Sequence, residues 1–179
     1  MGKKNTIDSA TLINKALEII EAAYLFDIDI NKIKPLIHTN SIIHGMVRFN
    51  DGSIKALLSF PEMTLPISYA MNYPERSNCG IPDLDFESIG SLNFRKPKSW
   101  QKRNIELAYQ AFNDKKVIAF NMANEIAVSK FLNGELNFCD IYGFIQKILQ
   151  NAKEENSESL DDIMNIIEEI DKLCSRLDH

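Results

Sequence analysis

The chain has 179 residues, 45% of them hydrophobic and 25% charged, which is the composition of a globular protein and excludes a disordered or collagen-like one. Its longest unbroken apolar run, Ala22 to Phe26, is far short of the roughly 20 residues of a membrane helix, and no secretory signal pattern opens the sequence. A net charge of −5 argues against an extended nucleic-acid surface, and all of that excess lies beyond residue 99, which predicts two units with different roles.

Ile7-Asp8-Ser9 leads into a helix expected over about residues 9–25, with Asp8 or Ser9 as its N-cap. At helical spacing Leu12, Ile13, Ala16, Leu17, Ile19, Ile20, Ala23 and Tyr24 share one face. Thr11, Asn14, Lys15, Glu18 and Glu21 share the other. Leu36-Ile37-His38 follows. Two apolar-alternating runs, 41–49 and 53–60, then flank Asn50-Asp51-Gly52, which is a hairpin signal. Pro61 and Pro66 break the ladder, and a short helix over about 67–72 stops before Pro74. Residues 74–99, with three of the six prolines, read as an extended connector with a short strand near Ser91–Phe94. Four amphipathic helices, about 101–114, 117–133, 139–152 and 158–177, predict an antiparallel bundle. Cys79, Cys139 and Cys174 are odd in number and widely spaced, so they are expected to be reduced, buried thiols.

The residues most suited to chemistry are Ser9, Asn14, Lys15 and Glu18. Asn14 and Glu18 are four apart and Lys15 and Glu18 three apart, so they emerge on adjoining turns. A phosphate is satisfied by a helix N-terminus, a hydroxyl, an amide donor and an ammonium, and a divalent cation by a carboxylate such as Glu18. On spacing alone the pattern is first of all that of the solvated side of an amphipathic helix with a surface Lys15–Glu18 pair, since most helices have such a face. His38 and His44 beside isoleucines read as packing or local hydrogen bonding, and Trp100 as a packing anchor. Asp85-Phe86-Glu87 has acidic spacing but falls in the connector. Glu125 belongs either to the site or to the bundle, and the stretch 154–162 reads as a solvated loop and helix start.

The run Met1-Gly2-Lys3-Lys4 through Ile7-Asp8-Ser9-Ala10-Thr11 to Asn14-Lys15-Ala16-Leu17-Glu18 resembles the 1-deoxy-D-xylulose 5-phosphate reductoisomerase family. The likeness continues through Leu36-Ile37-His38, Ser41-Ile42-Ile43-His44, Asp51-Gly52-Ser53, Pro61-Glu62-Met63, Pro82-Asp83-Leu84-Asp85-Phe86 and Asn121-Met122-Ala123-Asn124-Glu125, fading only in the last helix. It implies an NADPH-dependent enzyme, using Mg²⁺ or Mn²⁺, that rearranges and reduces 1-deoxy-D-xylulose 5-phosphate to 2-C-methyl-D-erythritol 4-phosphate in non-mevalonate isoprenoid synthesis. By the same resemblance Ser9, Asn14 and Lys15 bind the substrate phosphate, Glu18 ligates the metal, Lys15 and Glu18 are catalytic, and Gly2, Pro61 and Met63 contact the cofactor.

The fold implied is α+β: residues 1–73 as the end of a central catalytic domain with a small, mainly antiparallel sheet, 74–99 as connector, and 100–179 as a four-helix bundle. Ala16 stands where the family usually has glycine, and Thr39-Asn40 where it has Pro-Gln. No G-x-G-x-x-G stretch or nucleotide-binding strand–helix series is present, nor the acidic pair and histidine that complete the family's site. The expectation is therefore a C-terminal portion, inactive alone, from a family of homodimers in a bacterial cytoplasm or a plastid-type organelle. The alternatives are a non-catalytic binding or assembly module, in which the 41–60 hairpin pairs with another chain, and an acidic helical scaffold.

Overall fold

The computed structural model describes residues 2–177, as an α+β chain of two compact units. One comprises residues up to Pro35 together with those from Pro97 onward, and the other is Leu36–Lys96. The expected 1–73 unit is not the observed grouping. Its first 35 residues pack with the C-terminal helices, because the apolar stripe that begins at Ile13 needs a partner face and the helix at Ser99–Asn113 supplies one.

The first unit opens with α1 (Lys3–Thr11) and α2 (Ile13–Phe26) and resumes with α5 (Ser99–Asn113), α6 (Val117–Leu132), α7 (Ile141–Asn151) and α8 (Leu160–Leu177), while α3 (Thr64–Asn72) and α4 (Phe86–Ile89) lie in the second unit. Ile13, Ala16, Ile19, Ile20 and Ala23 of α2 are buried with Ile105, Ala108 and Ala111 of α5 in one apolar cluster. The same cluster runs on through Phe120, Ala123 and Ala127 of α6 to Ile141, Ile145 and Ile148 of α7 and Ile170 and Cys174 of α8. α6 carries apolar residues on all sides rather than on one stripe, and it is the helix that packs on both α7 and α8. Ala119, Ala123 and Ala127, all without measurable exposure, allow its neighbours to approach closely. α8 turns the stripe its spacing predicts inward, burying Ile170 and Cys174 and half-burying Ile163, Ile166, Ile167 and Leu173, while Leu160 at its start stays exposed and Glu168 and Glu169 remain in solvent.

Continuous periodicity from 9 to 25 predicted one helix, and two are present. Leu12 adopts the left-handed conformation (φ 62°, ψ 16°), ending α1 and starting α2. Asp8 and Ser9 accordingly lie inside α1 rather than capping a helix. Thr11, expected on the wet face, is buried. No glycine or proline marks the break.

α6 lacks a cap of its own and takes one from the loop after α7. Glu155 accepts the N–H groups of Ile118 (2.9 Å) and Ala119 (2.7 Å), and its own N–H donates to Lys115 O at 2.7 Å. Burial raises the Glu155 carboxyl above its usual range, only partly offset by those N–H donors. Because the folded value is raised, this group's contribution to stability is full below the ordinary carboxylate range and is lost as pH rises through the folded value. Glu155→Gln removes that titration. Its melting temperature relative to the parent is expected to rise as pH climbs from the ordinary carboxylate range and to level off once the folded Glu155 is ionised, as read by thermal unfolding at each pH.

In the second unit, β2 (Ile43–Arg48) and β3 (Ile54–Leu58) form the expected antiparallel hairpin, with a register shift between Ile43 and Gly45. Its turn closes through Phe49 N–H to Ser53 O (2.9 Å), and Gly52 takes the positive φ of 88° that an L side chain resists. β1 (Ile37–His38) pairs antiparallel with β4 (Phe94–Arg95), so the ends of this unit are stitched to each other in a separate two-stranded sheet. α3 (Thr64–Asn72) and the short α4 (Phe86–Ile89), capped by Asp85, complete it. Ile42 is its sole fully buried apolar side chain among the described residues, whereas Val47, Ile54, Leu57, Ile67 and Met71 are more than half exposed. No described helix is long and apolar enough to cross a membrane.

Candidate functional site

α2 places three of the four singled-out side chains together. Asn14 Nδ2 donates to Glu18 Oε1 at 2.8 Å and Lys15 Nζ donates to Glu18 Oε2, so one carboxylate is held by an amide and an ammonium from the preceding turn. Lys15 and Glu18 are each about half exposed, at 49% and 46%. Both are therefore open to an incoming ligand. An anion arriving here competes with Glu18 for Lys15 and Asn14, while a cation competes with those donors for Glu18. Ser9 is exposed in the last turn of α1, on the other side of the Leu12 break, and its carbonyl accepts the Leu12 N–H. The helix start offered to an anion is thus that of α2, and Ser9 does not belong to it.

Behind this exposed group lies a buried polar layer that sequence reasoning missed. Asp8, 1% exposed, accepts Lys4 Nζ (2.8 Å) and Asn124 Nδ2 (3.0 Å), tying α1 to α6. Thr11 Oγ1 donates to Ile7 O at 3.0 Å and lies 3.4 Å from the Ile13 N–H. Asn104 Nδ2 of α5 reaches Thr11 O at 2.8 Å, and Gln101 Nε2 reaches Ala10 O at 2.9 Å. A pointer existed in the sequence. Asn104 and Asn124 fall among apolar residues at helical spacing, the places where a polar residue costs most without partners.

The remaining sequence candidates divide between the units. Gly2 is the exposed N-cap of α1, with open space where a Cβ would stand. Pro61 and Met63 lie in the second unit before α3, both exposed. A shallow groove of about 480 Å³ nearby is lined by Phe60, Leu65, Cys79, Pro82 and Phe86 and includes neither. His38 Nδ1 sits 2.9 Å from Asn93 O with its ring 5.0 Å from Phe94, and His44 Nε2 is 3.1 Å from Ser59 O. Trp100 packs edge-on against Phe138. Glu125 is exposed, and its neighbour Asn124 carries the buried bond instead. Asp85 caps α4, accepting the Glu87 and Ser88 N–H groups, and its hydrogen bonds to Ser88 hold its carboxyl below the usual range. The Ala16 methyl is buried in the core, so it does not crowd the exposed group. Of the thiols only Cys174 is buried. Cys139 is exposed and Cys79 half-buried, which corrects the expectation for those two.

These residues do not by themselves build a metal or dinucleotide site. No group of three His, Cys, Asp or Glu side chains suited to a cation occurs among the described residues, and Glu18 alone is one ligand. Both described sheets are two-stranded and antiparallel, without the parallel strand–turn–helix unit that cradles a dinucleotide phosphate.

A family model described as the DXP reductoisomerase C-terminal domain matches residues 58–173, and one described as the 1-deoxy-D-xylulose 5-phosphate reductoisomerase C-terminal domain matches residues 1–26. The 1-deoxy-D-xylulose 5-phosphate reductoisomerase of Caldanaerobacter subterraneus subsp. tengcongensis is 46% identical over 169 residues, covering 93% of this chain and 44% of that protein. The one from Geotalea daltonii is 40% identical over 179 residues, 99% of this chain and 47% of that protein. Among solved structures, the Zymomonas mobilis reductoisomerase in complex with NADPH superimposes with a TM-score of 0.92 at 35% identity, covering 98% of this chain and 47% of that one. A reductoisomerase in complex with NADPH, fosmidomycin and magnesium gives a TM-score of 0.87 at 36% identity, covering 98% and 46%. The chain spans less than half the length of these relatives.

Proposed function

Because the chain belongs to the 1-deoxy-D-xylulose 5-phosphate reductoisomerase family, we propose that it is the C-terminal part of an enzyme converting 1-deoxy-D-xylulose 5-phosphate to 2-C-methyl-D-erythritol 4-phosphate. On this reading Asn14 and Lys15 hold the substrate phosphate, with the Ser9 hydroxyl as a further donor, and Glu18 contributes one carboxylate toward a divalent cation. Gly2 in the first unit, and Pro61 and Met63 in the second, each contribute a contact to NADPH on this reading. The observation carrying the reading is the convergence of Asn14 and Lys15 on Glu18 within residues 1–26, the run that a reductoisomerase C-terminal domain model matches. An ammonium and an amide donor on one helical turn suit a dianion, which anchors and orients the substrate through a group remote from the reacting carbons.

Among the described residues no group of three His, Cys, Asp or Glu side chains suits a cation and no parallel strand–turn–helix unit occurs, and on this reading the chain is expected to need the rest of the enzyme for turnover. NADPH consumption, followed by absorbance with 1-deoxy-D-xylulose 5-phosphate and Mg²⁺, is expected to stay at background with this chain. It is expected to rise when the region of the Caldanaerobacter relative outside the match is added in trans. Turnover by the chain alone overturns the inactivity. Absence of turnover from the mixture, with association demonstrated by sedimentation, overturns the catalytic reading. It leaves the assembly-module alternative, which the thinly buried 36–96 unit favours.

A further inference from the structure

The break at Leu12 sets what α2 offers to a ligand. In an unbroken helix over residues 3–26, the carbonyls of Ala10 and Thr11 would accept the N–H groups of Asn14 and Lys15. In this chain those carbonyls are taken by α5 side chains, Gln101 Nε2 at 2.9 Å and Asn104 Nδ2 at 2.8 Å. Leu12 turns left-handed, and α2 restarts with the Ile13, Asn14 and Lys15 N–H groups in its first turn, where no intrahelical carbonyl reaches them. The two residues whose side chains suit an anion thereby present their backbone donors at the positive end of the same helix.

The left-handed region disfavours a leucine, so something must hold it there. Asn104 is the candidate that local sequence cannot supply. It is 3% exposed, Ile105 next to it and Leu107 three residues on are buried, and its Oδ1 finds no protein partner among the described residues. An amide buried with one end unused is a poor choice for packing, since an apolar side chain there avoids the desolvation penalty. What it provides and leucine does not is a donor for Thr11 O.

We propose that Asn104 is a positioning residue for the anion site: by occupying Thr11 O it keeps Leu12 left-handed and so exposes the Asn14 and Lys15 N–H groups to the substrate phosphate. The proposal rests on the phosphate-binding reading above, and its test separates the two. Inorganic phosphate is titrated into the 179-residue chain, with the Asn14 and Lys15 amides followed by NMR and the Leu12 conformation read from its Cα shift and three-bond HN–Hα coupling.

Asn104→Leu is expected to move Leu12 out of the left-handed region and to weaken phosphate by about tenfold, the scale of losing hydrogen bonds to a charged group. Leu12→Gly added to Asn104→Leu restores left-handed geometry without the side-chain tie, and is expected to recover phosphate binding. A role confined to packing is not rescued by glycine at a position outside α5. If Asn104→Leu does not fold, Asn104→Ala gives the same readouts. Retention of the left-handed Leu12 in the variant, unchanged phosphate affinity, or failure of the glycine rescue each overturns the proposal. A Leu12 that moves in the variant while phosphate leaves the Asn14 and Lys15 amides of the parent unshifted overturns the phosphate reading itself, and the positioning role with it.

Discussion

Lys15→Ala in the complemented enzyme is expected to lower kcat/KM by about a hundredfold to a thousandfold, the range seen when one oriented donor to a charged group is removed. The physical basis is that an ammonium presented next to an amide on the same face supplies the full charge that a doubly charged ester requires, and alanine leaves only neutral donors. Steady-state kinetics against 1-deoxy-D-xylulose 5-phosphate measure the loss, and its division between kcat and KM reports whether phosphate binding is spent on the ground state or the transition state. Stability serves as the control. The Lys15–Glu18 pair is half in solvent, and exposed i,i+3 pairs contribute about 0–1 kcal/mol, so the melting temperature is expected to hardly change. A Lys15→Ala enzyme of parental activity removes Lys15 from the site. A variant that melts well below the parent shows that the residue serves the fold instead.

The features that carried through from sequence to structure have a local cause, and those that did not have a distant one. Asn50-Asp51-Gly52 specifies a hairpin because only a few residue types accept its dihedral angles, and β2 and β3 pair around it. Ile163, Ile166, Ile167 and Ile170 specify α8 because apolar residues at that spacing share a face. Asn14, Lys15 and Glu18 converge because residues three and four apart on a helix are neighbours wherever that helix sits. Leu12 was unreadable for the opposite reason. Nothing in Ala10-Thr11-Leu12-Ile13 forbids a continuous helix, and the groups that interrupt it, Gln101 and Asn104, lie more than 90 residues away. The pairing of Ile37-His38 with Phe94-Arg95 is likewise set by two short segments that carry no strand signal strong enough to find each other in one dimension. Grouping residues 1–35 with the C-terminal helices required knowing which apolar face α2 meets, and many faces in this chain would have satisfied periodicity alone.

Asn124→Leu is expected to destabilise the chain by about 2–3 kcal/mol, the cost of withdrawing a hydrogen bond from a buried charged group. Asp8 is 1% exposed and its two oxygens are served separately, Oδ1 by Asn124 Nδ2 at 3.0 Å and Oδ2 by Lys4 Nζ at 2.8 Å. Leucine fills a similar volume on α6 but takes from the buried Oδ1 the donor that Asn124 supplies. For a chain of this size the loss corresponds to a fall of about 5–10 °C in melting temperature, and urea unfolding measures it directly. The double variant Asp8→Leu with Asn124→Leu decides whether the bond or the shape matters. When both polar ends are removed, no buried carboxylate is left short of a donor and the part-exposed Lys4 ammonium can turn to solvent, so the pair of substitutions is expected to cost less than the two single changes added together. Strict additivity instead means that Asn124 contributes by packing within α6 alone. Since Asp8 and Asn124 are 116 residues apart, the same bond joins the segment that bears Asn14, Lys15 and Glu18 to the central helix. Its loss is therefore expected to raise hydrogen exchange in α1 and α2 more than in α7, which keeps Ile141, Ile145 and Ile148 in the core without it.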